Sequence, residues 1–110
     1  MSDQEVPADV RARALELIEE RRRVIALHLL RDETGLSGQP LLDYFNGLRY
    51  EVLSRGVTAE AEALALELLA RGKTRKAAWD VRKRAGIGYG QAIDYVRLLK
   101  DMGGPPASAS

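Results

Sequence analysis

The sequence predicts an all-α protein made of two tandem three-helix units, each containing a helix-turn-helix hairpin, packed as one domain. Apolar residues recur at spacings of three and four, and no strand-like alternation is present. Residues 14–49 also align with residues 65–100 at a constant offset of 51 without a gap, and ten of the 36 pairs are identical. A unit of this length buries too little apolar surface alone, so we expect the two copies to stack on each other.

The first unit, residues 7–56, contains three predicted helices. They run from near Pro7 toward Arg21, from Arg23 to Thr34, and from Ser37 to the Arg55-Gly56 pair. Proline is tolerated in a first helical turn, and Ser37 has the side chain of an N-cap residue. Gly35 ends the second helix, because glycine adopts the left-handed backbone that closes a helix at little cost.

The second unit, residues 57–103, repeats this order. Its predicted helices run from Ala59 to Ala70, from Thr74 to Gly86, and from the Gly86-Ile87 turn to Gly103. Thr58 and Thr74 are the predicted N-caps of the first two. The polar ends of the chain, residues 1–6 and 104–110, have nothing to pack, and we expect them to be disordered.

Composition narrows the class of protein. The chain of 110 residues has no cysteine and a single histidine, His28, so disulfides and thiolate metal sites are excluded and a histidine-based triad would depend on His28 alone. We therefore expect a non-enzymatic protein with no cofactor and no metal. The N-terminus lacks a signal pattern and no apolar run reaches membrane-spanning length, which predicts a cytoplasmic protein with no membrane partner.

Charge separates the two copies. Residues 14–49 hold five arginines against six acids, a net −1, whereas residues 65–100 hold nine Lys/Arg against three acids, a net +6. This divergence predicts that the second copy meets an anionic partner. The candidate partner- or anion-binding residues are Arg71, Lys73, Arg75, Lys76, Trp79 and Arg82. A solvated basic face stays open as the alternative interpretation.

The first copy is apolar where the second is charged. Val24, Ile25 and Leu29 align with Arg75, Lys76 and Asp80. We expect this apolar face to be covered, either by the other unit or by a second copy of the chain in a homodimer. His28 aligns with Trp79, which is either a packing residue or a binding anchor.

A first resemblance covers both copies. It is carried in the second copy by Leu68-Leu69-Ala70-Arg71-Gly72-Lys73, Ala77, Val81-Arg82, Gly86-Ile87-Gly88, Ala92, Asp94 and Val96. In the first copy it is carried by Ala26, Leu29-Leu30-Arg31, Glu33-Thr34-Gly35-Leu36 and Asp43-Tyr44. These segments resemble the helical hairpin of the C-terminal domain of the bacterial ribosomal stalk protein. The resemblance implies a protein-interaction module associated with translation, whose acidic protein partner contacts Lys73, Arg75, Lys76 and Arg82.

A second resemblance covers the second copy only. Arg84, Ile87-Gly88-Tyr89, Ala92 and the stretch from Leu99 to Met102-Gly103 are similar to the winged-helix gamma domain of FtsK-type DNA translocases. It implies an alternative function, helix-turn-helix binding of DNA. Lys73, Arg75 and Lys76 would then contact phosphates. The DNA-reading residues would be Tyr89, Gly90, Gln91 and Arg97.

Overall fold

A computed structural model describes residues 6–105, and this part of the chain contains six helices and no strand. The helices are α1 (Ala8–Glu19), α2 (Arg23–Thr34), α3 (Gly38–Leu53), α4 (Ala59–Ala70), α5 (Thr74–Ala85) and α6 (Tyr89–Met102). The all-α prediction is therefore confirmed. Within the same range, none of the helices is both long and apolar enough to cross a membrane. Most of the termini that we predict to be disordered, residues 1–5 and 106–110, lie outside the described residues.

The chain divides into two compact units, with the division between Val52 and Leu53 in the last turn of α3. The bounds of α4 and α5 lie 51 residues after those of α1 and α2, and α6 begins 51 residues after α3. The sequence alignment begins at residue 14, but α1 begins at Ala8 and α4 begins 51 residues later at Ala59. The correspondence between the two units therefore starts six residues earlier in the structure than in the alignment.

The turn after the first helix of each unit has the same hydrogen bonds. The N–H of Arg22 donates to the Leu17 carbonyl at 2.8 Å, and the N–H of Lys73 donates to the Leu68 carbonyl at 2.9 Å. The residues just before these donors have φ of 63° at Arg21 and 74° at Gly72. A left-handed residue followed by this long-range bond is a Schellman motif, so both turns end a helix in the same way.

The Schellman turn also corrects one predicted cap. Thr74 is the first residue of α5, and the N-cap position is taken by Lys73, which makes no side-chain capping bond. Only Lys73 lies between the left-handed Gly72 and the helix. Thr74 is therefore already helical and does not have the extended backbone of an N-cap residue. The predicted cap at Thr58 is confirmed, since its side chain accepts from the N–H of Ala61 at 3.1 Å.

The two hairpins also turn as predicted. Gly35 and Gly86 have φ of 76° and 68°, and their N–H groups donate to the carbonyls of Arg31 and Arg82. Three residues then lead from α2 to α3 and from α5 to α6. Each unit therefore contains a helix-turn-helix hairpin with a short glycine-bearing connection.

Each unit buries residues from all three of its helices. The core of the first unit is formed by Val10, Ala14, Leu17, Ile18, Ala26, Leu30, Phe45 and Leu48. The buried residues of the second unit are Ala61, Ala65, Ala77, Ala78, Val81, Ala92, Tyr95, Val96, Leu98 and Leu99. Small alanines supply the buried positions of α4 and the first half of α5, whereas α6 supplies the large ones.

A tyrosine links the third helix of each unit to the first. Tyr44 lies beside Arg11, whose charge acts on the tyrosine hydroxyl, whereas Tyr95, at the equivalent position, donates its hydroxyl proton to Glu62. Arg11 and Glu62 are themselves 51 residues apart. The tyrosine thus contacts the same position of the first helix in both units, although that position is a cation in one and an acid in the other. Burial raises the pKa of Tyr44 above its usual 10.0, a rise that the nearby Arg11 opposes.

Candidate functional site

An exposed aromatic residue marks the second unit. Trp79 lies on the outer face of α5 and is 52% exposed. The guanidinium carbon of Arg82, three residues further along the helix, lies 5.1 Å from the centroid of the Trp79 ring. Tyr89, the first residue of α6, lies 5.4 Å from Trp79 between ring centroids, with the two rings inclined at 47°. We call Trp79, Arg82 and Tyr89 the Trp79 cluster.

The hairpin turn brings this cluster together. Arg82 belongs to the last turn of α5, and Gly86 reverses the chain so that α6 begins next to the end of α5. A guanidinium over an aromatic face contributes about 0.5–1 kcal/mol at an exposed site. Both of its neighbours contact the Trp79 ring, and about half of this side chain stays exposed to solvent.

Two exposed cations continue the surface toward the start of α5. Arg75 lies one turn before Trp79 on the same helical face, and Lys76 borders it; both side chains are exposed. Neither forms an ion pair with any residue in the range 6–105. We call Arg75, Lys76 and the Trp79 cluster together the α5 surface.

The position of these cations is unfavourable for the isolated helix. The first turn of α5 contains no acidic residue, and Lys73 occupies the N-cap. A cation near a helix N-terminus costs about 0.3–1 kcal/mol, because the free N–H groups already carry partial positive charge. No ion pair or hydrogen bond of Arg75 or Lys76 within residues 6–105 offsets that cost, whereas an anionic partner would.

Two other arginines of the second unit, Arg84 and Arg71, form ion pairs with acids. Arg84 Nε donates to both carboxylate oxygens of Asp80 at 3.1 Å. Arg71, one of the predicted binding residues, lies 3.6 Å from Glu67, but both side chains are more than 60% exposed, so this pair is weak. The acid of α5, Asp80, is thus engaged with Arg84, and no ion pair with Arg75 or Lys76 is found among residues 6–105.

The first unit has no equivalent of the Trp79 cluster. Exposed His28 stands at the position of Trp79, and the position of Tyr89 is held by Gly38. Of the residues in the predicted homodimer face, Val24 is 65% and Ile25 51% exposed. Leu29 is only partly buried and packs on the core of the first unit. The homodimer itself stays a prediction.

The residues of the predicted DNA-reading set are distributed over α6. Gly90 and Arg97 are seven residues apart, which places them on one face, and both are exposed. Gln91 is half-buried, and Tyr89 belongs to the Trp79 cluster. The sequence assigned Tyr89 and Trp79 to different sets, whereas the structure brings them into contact. The sequence gives no local signal for that contact, because Trp79 lies in the middle of α5 and Tyr89 begins α6.

No group of three or more His, Asp or Glu side chains between residues 6 and 105 is arranged to hold a metal ion. Comparisons of the chain with protein-family models, with curated proteins and with solved structures find no match. The resemblances to the stalk domain and to the gamma domain therefore stay predictions. The α5 surface itself combines a half-exposed tryptophan with exposed cations, of which Arg75 and Lys76 form no ion pair within residues 6–105.

Proposed function

We propose that the protein is a non-enzymatic interaction module whose α5 surface binds an acidic surface of another protein. The observation that carries this proposal is the half-exposed Trp79 in contact with both Arg82 and Tyr89. Trp, Tyr and Arg are the residue types most enriched among those that dominate binding energy at protein interfaces. A merely solvated basic face has no need of an exposed tryptophan at its centre.

The aromatic residue supplies most of the expected affinity. A tryptophan exposes up to about 250 Å², so covering the open half of Trp79 removes about 130 Å² from water. At about 25 cal/mol per Å², this corresponds to about 3 kcal/mol before the entropic costs of association are subtracted. An exposed ion pair contributes only about 0.2–1 kcal/mol. Arg75 and Lys76 therefore set mainly the rate of association and the choice of an acidic partner.

The resemblance to the ribosomal stalk domain favours one kind of partner. In that family the hairpin binds translation factors, and a partner of this type would place the function in the cytoplasm. The predicted contact residues Lys73, Arg75, Lys76 and Arg82 all lie at or along α5, and each is exposed.

The test compares pull-downs from a cell lysate with wild type, Trp79→Ala and His28→Ala. His28 is a matched control, because it is exposed at the equivalent helical position of the first unit. We expect Trp79→Ala to lose acidic partners that wild type and His28→Ala retain, with circular dichroism showing that all three are folded. An identical set of partners for all three proteins would contradict the proposal.

A second candidate function is helix-turn-helix binding of DNA. It is favoured by the three-residue turn from α5 to α6 and by the exposed Gly90 and Arg97 on one face of the second helix. Phosphate contacts make affinity fall steeply with salt, so a duplex titration at two salt concentrations tests it. We expect Arg97→Ala to weaken any such binding. Absence of binding at low salt removes this candidate.

A further inference from the structure

We infer that the α5 surface binds an extended acidic segment in which one apolar side chain packs on Trp79 and carboxylates lie two residues to either side of it. This inference rests on the proposed function and specifies the partner. It follows from the spacing of the cations about Trp79, from the exposure of that ring, and from the number of apolar anchors that the surface offers.

The spacing along α5 sets the pattern of the segment. Arg75 lies four residues before Trp79 and Arg82 three residues after it, or about 6 Å and about 4.5 Å along the helix axis at 1.5 Å per residue. In an extended chain, side chains on one face recur every second residue, about 6.6 Å apart. An apolar residue on Trp79 therefore places acids two positions away near Arg75 and, on the other side, near Arg82.

An extended segment fits this surface better than a helix does. A helical partner inserts several apolar residues into a groove between two walls. The α5 surface instead offers one apolar anchor, Trp79, with Tyr89 at its side and exposed cations beyond it. A single extended segment can place one apolar side chain on the anchor while its neighbours reach the cations.

The same geometry argues against a stacked nucleobase as the occupant. The guanidinium of Arg82 lies over the Trp79 ring, and Tyr89 packs against that ring at an incline. A base that stacks on Trp79 competes with the first of these contacts. An aliphatic or aromatic side chain can instead pack beside Arg82, whose charge then attracts a neighbouring carboxylate.

A displayed library of random peptides tests the inference without assuming a sequence. The full-length chain is the target, and binders to Trp79→Ala are removed by counter-selection. We expect the selected peptides to share the pattern acid, any residue, apolar residue, any residue, acid. Selection with Arg75→Glu should remove the acid from one side of the apolar residue and keep the other. Peptides without acids, or peptides that bind Trp79→Ala equally well, would overturn the inference.

Trp79 is the only tryptophan of the chain, so its fluorescence reports directly on the site. A synthetic peptide of the selected sequence should shift the emission of Trp79. Replacing the apolar residue of the peptide by serine should weaken binding at least about tenfold, because the exposed half of Trp79 is then no longer covered by an apolar group. An equal affinity for the serine peptide would overturn the inference. So would an oligothymidylate that displaces the peptide more strongly than an acidic peptide of the same length.

The two proposals fail in different ways. If pull-downs depend on Trp79 but no displayed peptide binds, the interaction function stands and the linear segment is refuted in favour of a folded partner surface. If neither the pull-downs nor the selection depend on Trp79, both proposals are refuted.

Discussion

Arg21 holds a backbone conformation that arginine does not favour. Its φ is 63°, and among residues 6–105 it is the one non-glycine residue with a positive φ. The equivalent residue of the second unit is Gly72, with φ of 74°. Arg21→Gly should therefore stabilise the protein by removing the contact between the Cβ atom and the backbone that disfavours left-handed residues.

The magnitude is a difference of two terms. The left-handed conformation costs a non-glycine residue about 1–2 kcal/mol. Glycine also gives the unfolded chain more conformational freedom, and this reduces the gain in stability by about 0.5–1 kcal/mol. We expect a net gain of about 0.5–1 kcal/mol in the free energy of unfolding, or a rise of a few degrees in Tm for a domain of about this size.

Urea denaturation followed by circular dichroism measures the change. Arg21→Ala is the matched control, because it removes the charge and the long side chain but keeps the Cβ atom, and it should give no gain. Gly72→Ala should lose about 1 kcal/mol. Apart from Gly72 and its two chain neighbours, no atom of the described residues lies within 4 Å of the position that a Cβ would take there, so this loss comes from the backbone and not from a clash. If Arg21→Gly is no more stable than Arg21→Ala, the reasoning is wrong.

Two further outcomes follow from single side chains. Thr58→Ala should cost about 1 kcal/mol of stability in urea titrations by removing the cap on the Ala61 N–H, and Thr58→Ser should retain it; equal losses in both variants would contradict the capping role. Because burial raises the pKa of Tyr44, its stabilising contribution is complete below pH 10.0 and is lost as the pH rises through the raised pKa. The absorbance of tyrosinate should show that Tyr44 ionises above pH 10.0. In Tyr44→Phe the free energy of unfolding should fall less at alkaline pH, and an unchanged fall would refute this.

Local chemistry accounts for what could be predicted of the fold. The bounds of α2, the left-handed turns at Gly35 and Gly86 and the cap at Thr58 are all set by residues within a few positions of one another. The strained turn at Arg21 was not predicted, because arginine gives no local signal for a left-handed backbone. Only its alignment with Gly72 could have indicated it.

The candidate site was predicted in part. Charge divergence between the copies directed attention to Arg75 and Lys76, since net charge is a property of sequence alone, and the alignment of the copies set Trp79 against His28. The contact of Trp79 with Tyr89 could not be predicted, because it joins two helices whose approach depends on the geometry of the turn and on packing.

The sequence by itself determined the helical class, the register of the repeat and the surplus of cations in the second copy. Periodicity, turn residues and charge act over short distances or add along the chain. Only the tertiary structure decided that Trp79 stays half-exposed beside Arg82 and Tyr89, and that Tyr95 reaches Glu62 where Tyr44 reaches Arg11. Contacts of this kind depend on which faces of separate helices meet, and that is fixed by the packing of each unit as a whole.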